Sequence, residues 1–144
     1  LMLVNKVTLG NLFLGAVLGI VIPFMTAPYW PNRPKLRAPL MAAEYLLVVL
    51  WDIVIANVIV AKIVLFKPNA DIRSAWVTVP LDLTSPEAIT VLAGTITMTP
   101  GTVSATLAAD GGSLLVHCLH TDDPEAVRDD IKDRYERRLK EIFR

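Results

Sequence analysis

Charged residues are scarce in the first half of this sequence. Of the 28 Lys, Arg, Asp and Glu residues in the 144-residue chain, 8 lie in residues 1–70 and 20 lie in the remaining 74. The first half therefore lacks the charged surface of an aqueous domain. Hydrophobic residues make up 53% of the chain, and the mean hydropathy is +0.50. An apolar half joined to a charged half is typical of a membrane segment followed by a water-soluble domain.

Cysteine is almost absent, and the overall charge is balanced. Cys118 is the only cysteine, which excludes an intrachain disulfide and fits an aqueous domain on the reducing, cytoplasmic side. The net charge is zero, so nothing in it indicates a nucleic-acid partner. The chain opens Leu1-Met2-Leu3 without a signal-peptide pattern, and we expect further residues upstream.

Two long apolar runs, residues 7–29 and 39–66, predict two transmembrane helices. At 1.5 Å per residue, a helix of either length can cross a hydrocarbon core of about 30 Å. Tyr29 and Trp30 would lie in the interfacial aromatic belt. The link 31–39 has three prolines and three cations, which predicts a polar turn outside the hydrocarbon. We therefore assign residues 1–67 to the membrane and 68–144 to an aqueous domain.

Small and polar residues recur at every fourth position of the first run. Asn11, Gly15, Gly19 and Pro23 share one face of the predicted helix. Gly15 and Gly19 form a GxxxG pair, which lets a second helix approach closely, although glycine is common in such helices in any case. We predict a helix-packing face on Asn11, Gly15 and Gly19.

Asp52 lies near the middle of the second run, where an ionised carboxylate costs roughly 2.5–3.5 kcal/mol. It is expected to face a protein interior, a water-filled path or a cation. A structural or inter-subunit role and direct handling of cations or protons both fit. Lys62 is ten residues away, about 15 Å along the helix axis, so we expect the partner of Asp52 on another chain.

Three further polar residues lie in the same run. Glu44 and Lys62 are near its ends and can reach the interface by snorkelling, whereas Asn57 is expected to form an interhelical hydrogen bond. Together with Asp52, they are the candidates for an ion pathway or for contacts between subunits.

Beyond residue 74, the sequence has the pattern of a small α+β domain. Three segments are predicted strands: 76–82, 102–109 and 113–119. The last two are joined as a hairpin by Asp110-Gly111-Gly112. Ser85 and Asp123 are predicted N-caps of two helices, each followed by proline at the first helical position. The order is βαββα, with a three-stranded sheet and two helices.

The last helix combines an apolar stripe with many charges. The stripe consists of Val127, Ile131, Tyr135, Leu139 and Ile142. Opposite charges four residues apart are expected to pair along the rest of the helix: Asp130/Arg134, Asp133/Arg137 and Glu136/Lys140. Such pairs keep a helix soluble and indicate no chemistry.

Catalytic and metal-binding motifs are missing from the sequence. His117, Cys118 and His120 invite a metal site, but His117 and Cys118 point to opposite faces of a strand and no second ligand pair follows. The chain has no phosphate loop, no GxSxG and no cysteine–histidine nucleophile arrangement. We therefore expect no enzyme activity, no cofactor and no metal.

The order of these segments resembles one bacterial protein family. LGNLFLGAVLG, LWDIVIANVIVAKIVL, ITMTPGT and LLVHCLHTDDPEA are similar to the E subunit of Mrp/Mnh-type multisubunit sodium/proton antiporters, over essentially the whole chain. Family members often have another apolar segment ahead of the LGN stretch. The resemblance implies a cell-membrane complex that exports sodium in exchange for protons. Its large subunits would carry the proton channels, and the E subunit would serve assembly and coupling with those partners in the bilayer.

Two other functions remain open from the residues alone. One is a small channel formed by homo-oligomers around Asp52, and the other is a membrane-anchored binding module whose αβ domain recruits a soluble partner.

Two arguments about which side of the membrane each segment faces disagree. The positive-inside rule places Arg33, Lys35 and Arg37 in the cytoplasm, whereas Cys118 and the resemblance place the αβ domain there. Both cannot hold for a simple two-helix hairpin, and we expect the αβ domain to be the cytoplasmic part of a multi-pass protein.

Overall fold

The computed structural model describes residues 8–29 and 38–143, which belong to two compact units divided between residues 34 and 35. The first unit contains helix α1, Leu9–Thr26, continued by a 3-10 turn over Ala27–Tyr29. Thr8 begins α1, because its hydroxyl accepts a hydrogen bond from the Asn11 N–H at 3.2 Å.

Several predicted features lie outside the described residues. They are the start of the first apolar run at Val7, the second aromatic residue of the belt, Trp30, and residues 31–37 of the polar link.

Helix α2, Pro39–Phe66, has the bounds that the apolar run predicted. Proline suits its first position because the first N–H groups of a helix have no intrahelical acceptor. Its 28 residues are about 42 Å long. Segments Leu9–Tyr29 and Pro39–Phe66 have mean hydropathies of 1.9 and 2.4, so both are long and apolar enough to cross a membrane.

The αβ domain has the predicted βαββα order. Strands β1 (Ala75–Pro80), β2 (Thr102–Leu107) and β3 (Ser113–Cys118) form an antiparallel sheet in the order β1-β3-β2. His117 of β3 lies opposite Trp76 of β1 and Val103 of β2. The alternation in the sequence is thus realised, with one face of the sheet buried and the other largely open.

Both helices of the domain begin at the predicted caps. Helix α3 is Pro86–Met98, and the Ser85 hydroxyl accepts a hydrogen bond from the Ala88 N–H. The last helix begins at Pro124, where the Asp123 carboxylate accepts hydrogen bonds from the N–H groups of Glu125 and Ala126. These side chains satisfy N–H groups that a helix start otherwise leaves unpaired.

The last helix is not regular along its length. Three consecutive segments form one continuous helix, which we name α4: Pro124–Asp130 is α-helical, Ile131–Glu136 is π-helical and Arg137–Ile142 is α-helical. Hydrogen bonds in a π-helix run from residue i to i+5. The three predicted i,i+4 ion pairs are wrong, because the salt bridges in the described part of the chain do not include them. Arg134 pairs with Asp52 instead, and Glu136 binds Lys132 and two loop N–H groups.

The core joins α2 to the αβ domain. Buried side chains of the sheet and of both domain helices form one cluster with Tyr45 and Val49 of α2. Residues 35–144 therefore form a single compact unit by packing, whereas the predicted division at residue 67 concerns which part lies in the membrane.

Gly101 is required where the chain passes from α3 to β2. Its φ is +96°, and a Cβ at this position would lie 3.1 Å from Cγ2 of Val60 in α2. The turn therefore needs a residue without a side chain, both for its backbone conformation and for its closeness to α2.

We expect Gly101→Ala to lower the free energy of unfolding by about 1–3 kcal/mol, because alanine is strained at positive φ. The matched control is Gly94→Ala in α3, where a Cβ would meet open space and where alanine is the better helix former by up to about 1 kcal/mol. Denaturant unfolding of the purified protein in detergent measures both. Equal stability of the two variants would contradict the conclusion that position 101 needs glycine.

Candidate functional site

The candidate site is the contact between α2 and α4, built around Asp52. The Asp52 carboxylate accepts hydrogen bonds from both ends of one guanidinium: the Arg134 Nε–H donates to Oδ2 at 2.6 Å, and Nη2 donates to Oδ1. The Tyr135 hydroxyl donates to Oδ2 at 2.9 Å. The Asp52 side chain is 11% exposed and that of Arg134 is 41% exposed. This is a two-pronged, partly buried ion pair, the strong kind of charge contact.

The expectation that the partner of Asp52 lies on another chain is wrong. Arg134 comes from the same chain, 82 residues later. Local spacing could not show this, because only the folding of the αβ domain back onto α2 brings the two residues together.

The contact with Asp52 also determines the protonation states of Arg134 and Tyr135. Hydrogen bonding to the Asp52 carboxylate raises the pKa of Arg134 above its already high ordinary value. Burial, followed by the hydrogen bond to Asp52, raises the pKa of Tyr135 well above its usual range. Arg134 therefore stays charged and Tyr135 stays protonated as a hydrogen-bond donor at any physiological pH.

Aromatic packing surrounds the ion pair. The rings of Tyr45 and Tyr135 meet edge to face, with centroids 6.4 Å apart. The Tyr45 hydroxyl lies 2.7 Å from the Thr95 hydroxyl in a buried hydrogen bond. Elements α2, α3 and α4 thus meet at one place, beside the Asp52 carboxylate.

The other predicted residues of α2 lie away from this cluster. Glu44 is 63% exposed and pairs with Arg138 at 3.4 Å. Asn57 is exposed, and its amide donates to the Ile53 carbonyl of its own helix at 2.7 Å. Lys62 is exposed, and no ion pair involves it among the described residues. In α1, a Cβ at Gly15 or Gly19 would meet open space, so contacts of this face stay a prediction.

A second charged network was missed in the sequence. Glu136 is 2% exposed, and its Oε1 accepts hydrogen bonds from the N–H groups of Asp82 at 2.6 Å and Leu83 at 3.2 Å. Its Oε2 pairs with Lys132 at 2.9 Å. Hydrogen bonds from Lys140 and Lys132 hold the pKa of Asp82 below its ordinary value. The only signal in the sequence is that Glu136 directly follows Tyr135 of the apolar stripe, and in the structure its side chain is buried.

The histidines take separate positions. The rings of His117 and Trp76 meet edge to face with centroids 4.8 Å apart, and Cys118 is buried in the core. His120 contacts the Lys67 ammonium, and its Nδ1 accepts a hydrogen bond from the Arg73 N–H at 3.0 Å. These contacts tie the end of α2 to the loop after β3.

Comparison with known proteins gives consistent relatives over the full chain. The profile of a family described as Na+/H+ ion antiporter subunit matches residues 1–142. The chain is 33% identical over 143 residues to the probable K+/H+ antiporter E subunit of Rhizobium meliloti, covering 99% of this chain and 88% of that protein. It is 28% identical over 138 residues to the Na+/H+ antiporter E subunit of Alkalihalophilus pseudofirmus, covering 96% and 87%.

Two solved complexes contain similar chains. One is the Mrp complex from Dietzia sp., with a TM-score of 0.53 and 28% identity over 74% of this chain and 99% of that chain. The other is a membrane-bound sulfane sulfur reductase, an archaeal respiratory membrane complex, with a TM-score of 0.70 and 26% identity over 99% and 90%.

The geometry predicts that Asp52 and Arg134 are energetically coupled. A double-mutant cycle of Asp52→Asn and Arg134→Gln should give a coupling free energy of about 1–2 kcal/mol, reduced from the value for a fully buried pair because Arg134 is partly exposed. The matched cycle of Arg73→Gln and Asp122→Asn tests a pair whose side chains are 75% and 71% exposed, for which about 0–0.5 kcal/mol is expected. Denaturant unfolding in detergent measures both. Equal coupling free energies in the two cycles would show that the pair of Asp52 and Arg134 is no stronger than an exposed ion pair.

Glu136 is predicted to be the more sensitive of two acids on α4. Glu136→Ala should cost about 2–4 kcal/mol of unfolding free energy, because it leaves the N–H groups of Asp82 and Leu83 without their acceptor and removes one of the acceptors of Lys132. Exposed Glu141→Ala should change stability by less than about 0.5 kcal/mol. A Glu136→Ala variant as stable as Glu141→Ala would refute the buried network.

Proposed function

Because this chain belongs to the family of Na+/H+ antiporter E subunits, it is a membrane protein and a subunit of a multisubunit antiporter, and we propose that its own task is to support assembly and coupling without carrying ions itself. Its partners are the other subunits of the complex. The family resemblance noted in the sequence is thereby confirmed.

One observation carries the proposal: both carboxylate oxygens of Asp52 are engaged within the chain. The Arg134 guanidinium donates one hydrogen bond to each oxygen, and the Tyr135 hydroxyl donates a third to Oδ2. These bonds take both acceptor sites of Oδ2 and one of Oδ1, so a passing Na+ or proton would have to compete with a charged guanidinium for this carboxylate. The residue that looked most suited to ion transport is therefore better suited to fixing the αβ domain against α2.

The other candidate functions receive less support. A channel of identical subunits around Asp52 would need that carboxylate to face a pore, whereas it faces α4. A binding module starting near residue 70 would lose Tyr45, Val49 and Asp52, which belong to the core or to its main ion pair. Residues 35–144 form one compact unit, which favours a subunit that acts as a whole.

The exposed polar residues of α2 suit contacts with partners. Asn57 and Lys62 lie on the side of α2 that the αβ domain leaves uncovered. We propose that they, with Glu44, contact neighbouring subunits or lipid headgroups, and that Gly15 and Gly19 pack against another helix.

We place the protein in the cell membrane with the αβ domain on the cytoplasmic side. The single cysteine of the chain, Cys118, supports this, since a domain without disulfides suits the reducing side of the membrane.

We take the exchanged cation to be sodium, as in the family description. The relative from Rhizobium meliloti is named for K+. If other subunits hold the ion-binding groups, the E subunit does not itself decide between the two cations.

A charge swap separates a structural Asp52 from an ion-carrying one. Asp52→Arg or Arg134→Asp alone should reduce the amount of assembled complex strongly, because each places like charges together. The double variant should restore at least part of both assembly and antiport, because the opposite charges face each other again. Native gels measure assembly, and cation-dependent proton movement in inside-out vesicles, normalised to the complex, measures antiport.

Two outcomes would contradict the proposal. If the double variant assembles but antiport per complex stays absent, then Asp52 itself handles ions. If the purified protein alone moves Na+ or protons in liposomes, it is a transporter by itself. The exposed pair Arg73 and Asp122 is the control, for which single reversals should change little.

A further inference from the structure

Helix α2 contacts the αβ domain from one end to the other. Tyr45 bonds to Thr95 near the start of α2, Asp52 bonds to α4, and Lys67 directly after α2 contacts His120. These contacts span 22 residues, about 33 Å along the helix. That distance is the whole thickness of a hydrocarbon core, so the domain lies beside α2 over the entire length that would be in the bilayer.

The neighbouring part of the domain is charged where α2 is most apolar. Asp130, Asp133 and Arg137 surround Arg134 on α4, and all three are exposed. If α2 crossed the bilayer with this domain attached, these side chains would lie at mid-depth in the hydrocarbon. Charged side chains are strongly disfavoured there. The docked domain and a membrane-crossing α2 are therefore incompatible.

The opposite side of α2 has the chemistry of a lipid-facing surface. Large apolar side chains are exposed along it, including Leu47, Leu50, Trp51, Val54 and Val58. The charged side chains of α2 away from Asp52 are Glu44 and Lys62, one towards each end, where a long side chain can reach headgroups. The helix thus has a polar side supplied by the domain and an apolar side open to lipid.

We propose that α2 does not cross the membrane but lies in its surface, with the apolar side in lipid and the αβ domain on the aqueous side. Such a helix resembles the amphipathic helices that lie in membrane interfaces, except that a docked domain supplies its polar side. This inference departs from the two-span prediction. It concerns membrane geometry alone and does not depend on the proposed role in assembly.

The proposal removes the conflict of orientation in the sequence. If α2 stays on one side, the link 31–39 and the αβ domain lie on the same side of the membrane. The cations Arg33, Lys35 and Arg37 then follow the positive-inside rule, and Cys118 lies in the cytoplasm. A spanning α2 satisfies only one of these two conditions.

Labelling of cysteines at two matched asparagine positions tests whether both ends of α2 lie on the same side of the membrane. Asn32→Cys and Asn69→Cys, each in a Cys118→Ala chain within the whole complex, place a thiol before and after α2, both in a Pro-Asn context. We expect a membrane-impermeant maleimide to label both in inside-out vesicles and neither in intact cells. Labelling from opposite sides would show that α2 crosses and would overturn the proposal. Labelling of both from outside would keep α2 on one side and refute the cytoplasmic placement instead.

A depth measurement tests that lipid is what covers α2. Nitroxides at Leu47→Cys, Val54→Cys and Val58→Cys report three exposed positions on one helix face, over about 17 Å. A surface helix gives similar oxygen and nickel accessibility, hence similar depth, at all three. A depth that changes steadily along the series would indicate a crossing helix. Protection of all three from both reagents would indicate a protein partner, and either result would overturn the proposal.

Discussion

The ion pair between Asp52 and Arg134 is the contact on which the arrangement of residues 38–143 depends. An ionised carboxylate on an apolar helix needs a cation within reach, because burial without one is costly. Helix α2 offers none nearby, and α4 provides it from the far end of the chain. Meeting this requirement forces the αβ domain against α2. Removing Arg134 would leave the largely buried Asp52 carboxylate without a cation, so the contact favours this arrangement over ones that separate the two residues.

The π-helical segment of α4 carries the residues that bind two different elements. Arg134, Tyr135 and Glu136 are consecutive, yet the first two bind α2 while Glu136 binds the loop after β1. Successive side chains of a helix point in different directions around its axis, so these neighbours can bind two different elements. Helix α4 thereby connects α2 to the sheet, and a displacement of α2 would be passed to the loop at Asp82 and Leu83. That property suits a subunit proposed to couple others.

The sequence was sufficient to predict the helices and strands but not the contacts between them. Alternation, turn residues and proline-preceded caps predicted the βαββα order, and the apolar run predicted α2 to the residue. Asp52 was recognised as unusual for its place in an apolar run. Its partner was not found, because periodicity describes one element at a time and Arg134 is 82 residues away. Glu136 was missed for a related reason, since a regular helix was assumed where the backbone is π-helical.

The position of α2 shows the same limitation at the level of the membrane. Hydropathy treats a helix as if it were alone, and α2 alone is apolar enough to cross. Its surroundings depend on what the rest of the chain places beside it. A charged domain docked along one side gives the helix a polarity that its own residues lack. Once that domain is fixed by a buried ion pair, crossing would require either breaking the pair or taking the charges of α4 into hydrocarbon. Lying in the surface requires neither, so the contact that organises the fold also decides how the chain meets the membrane.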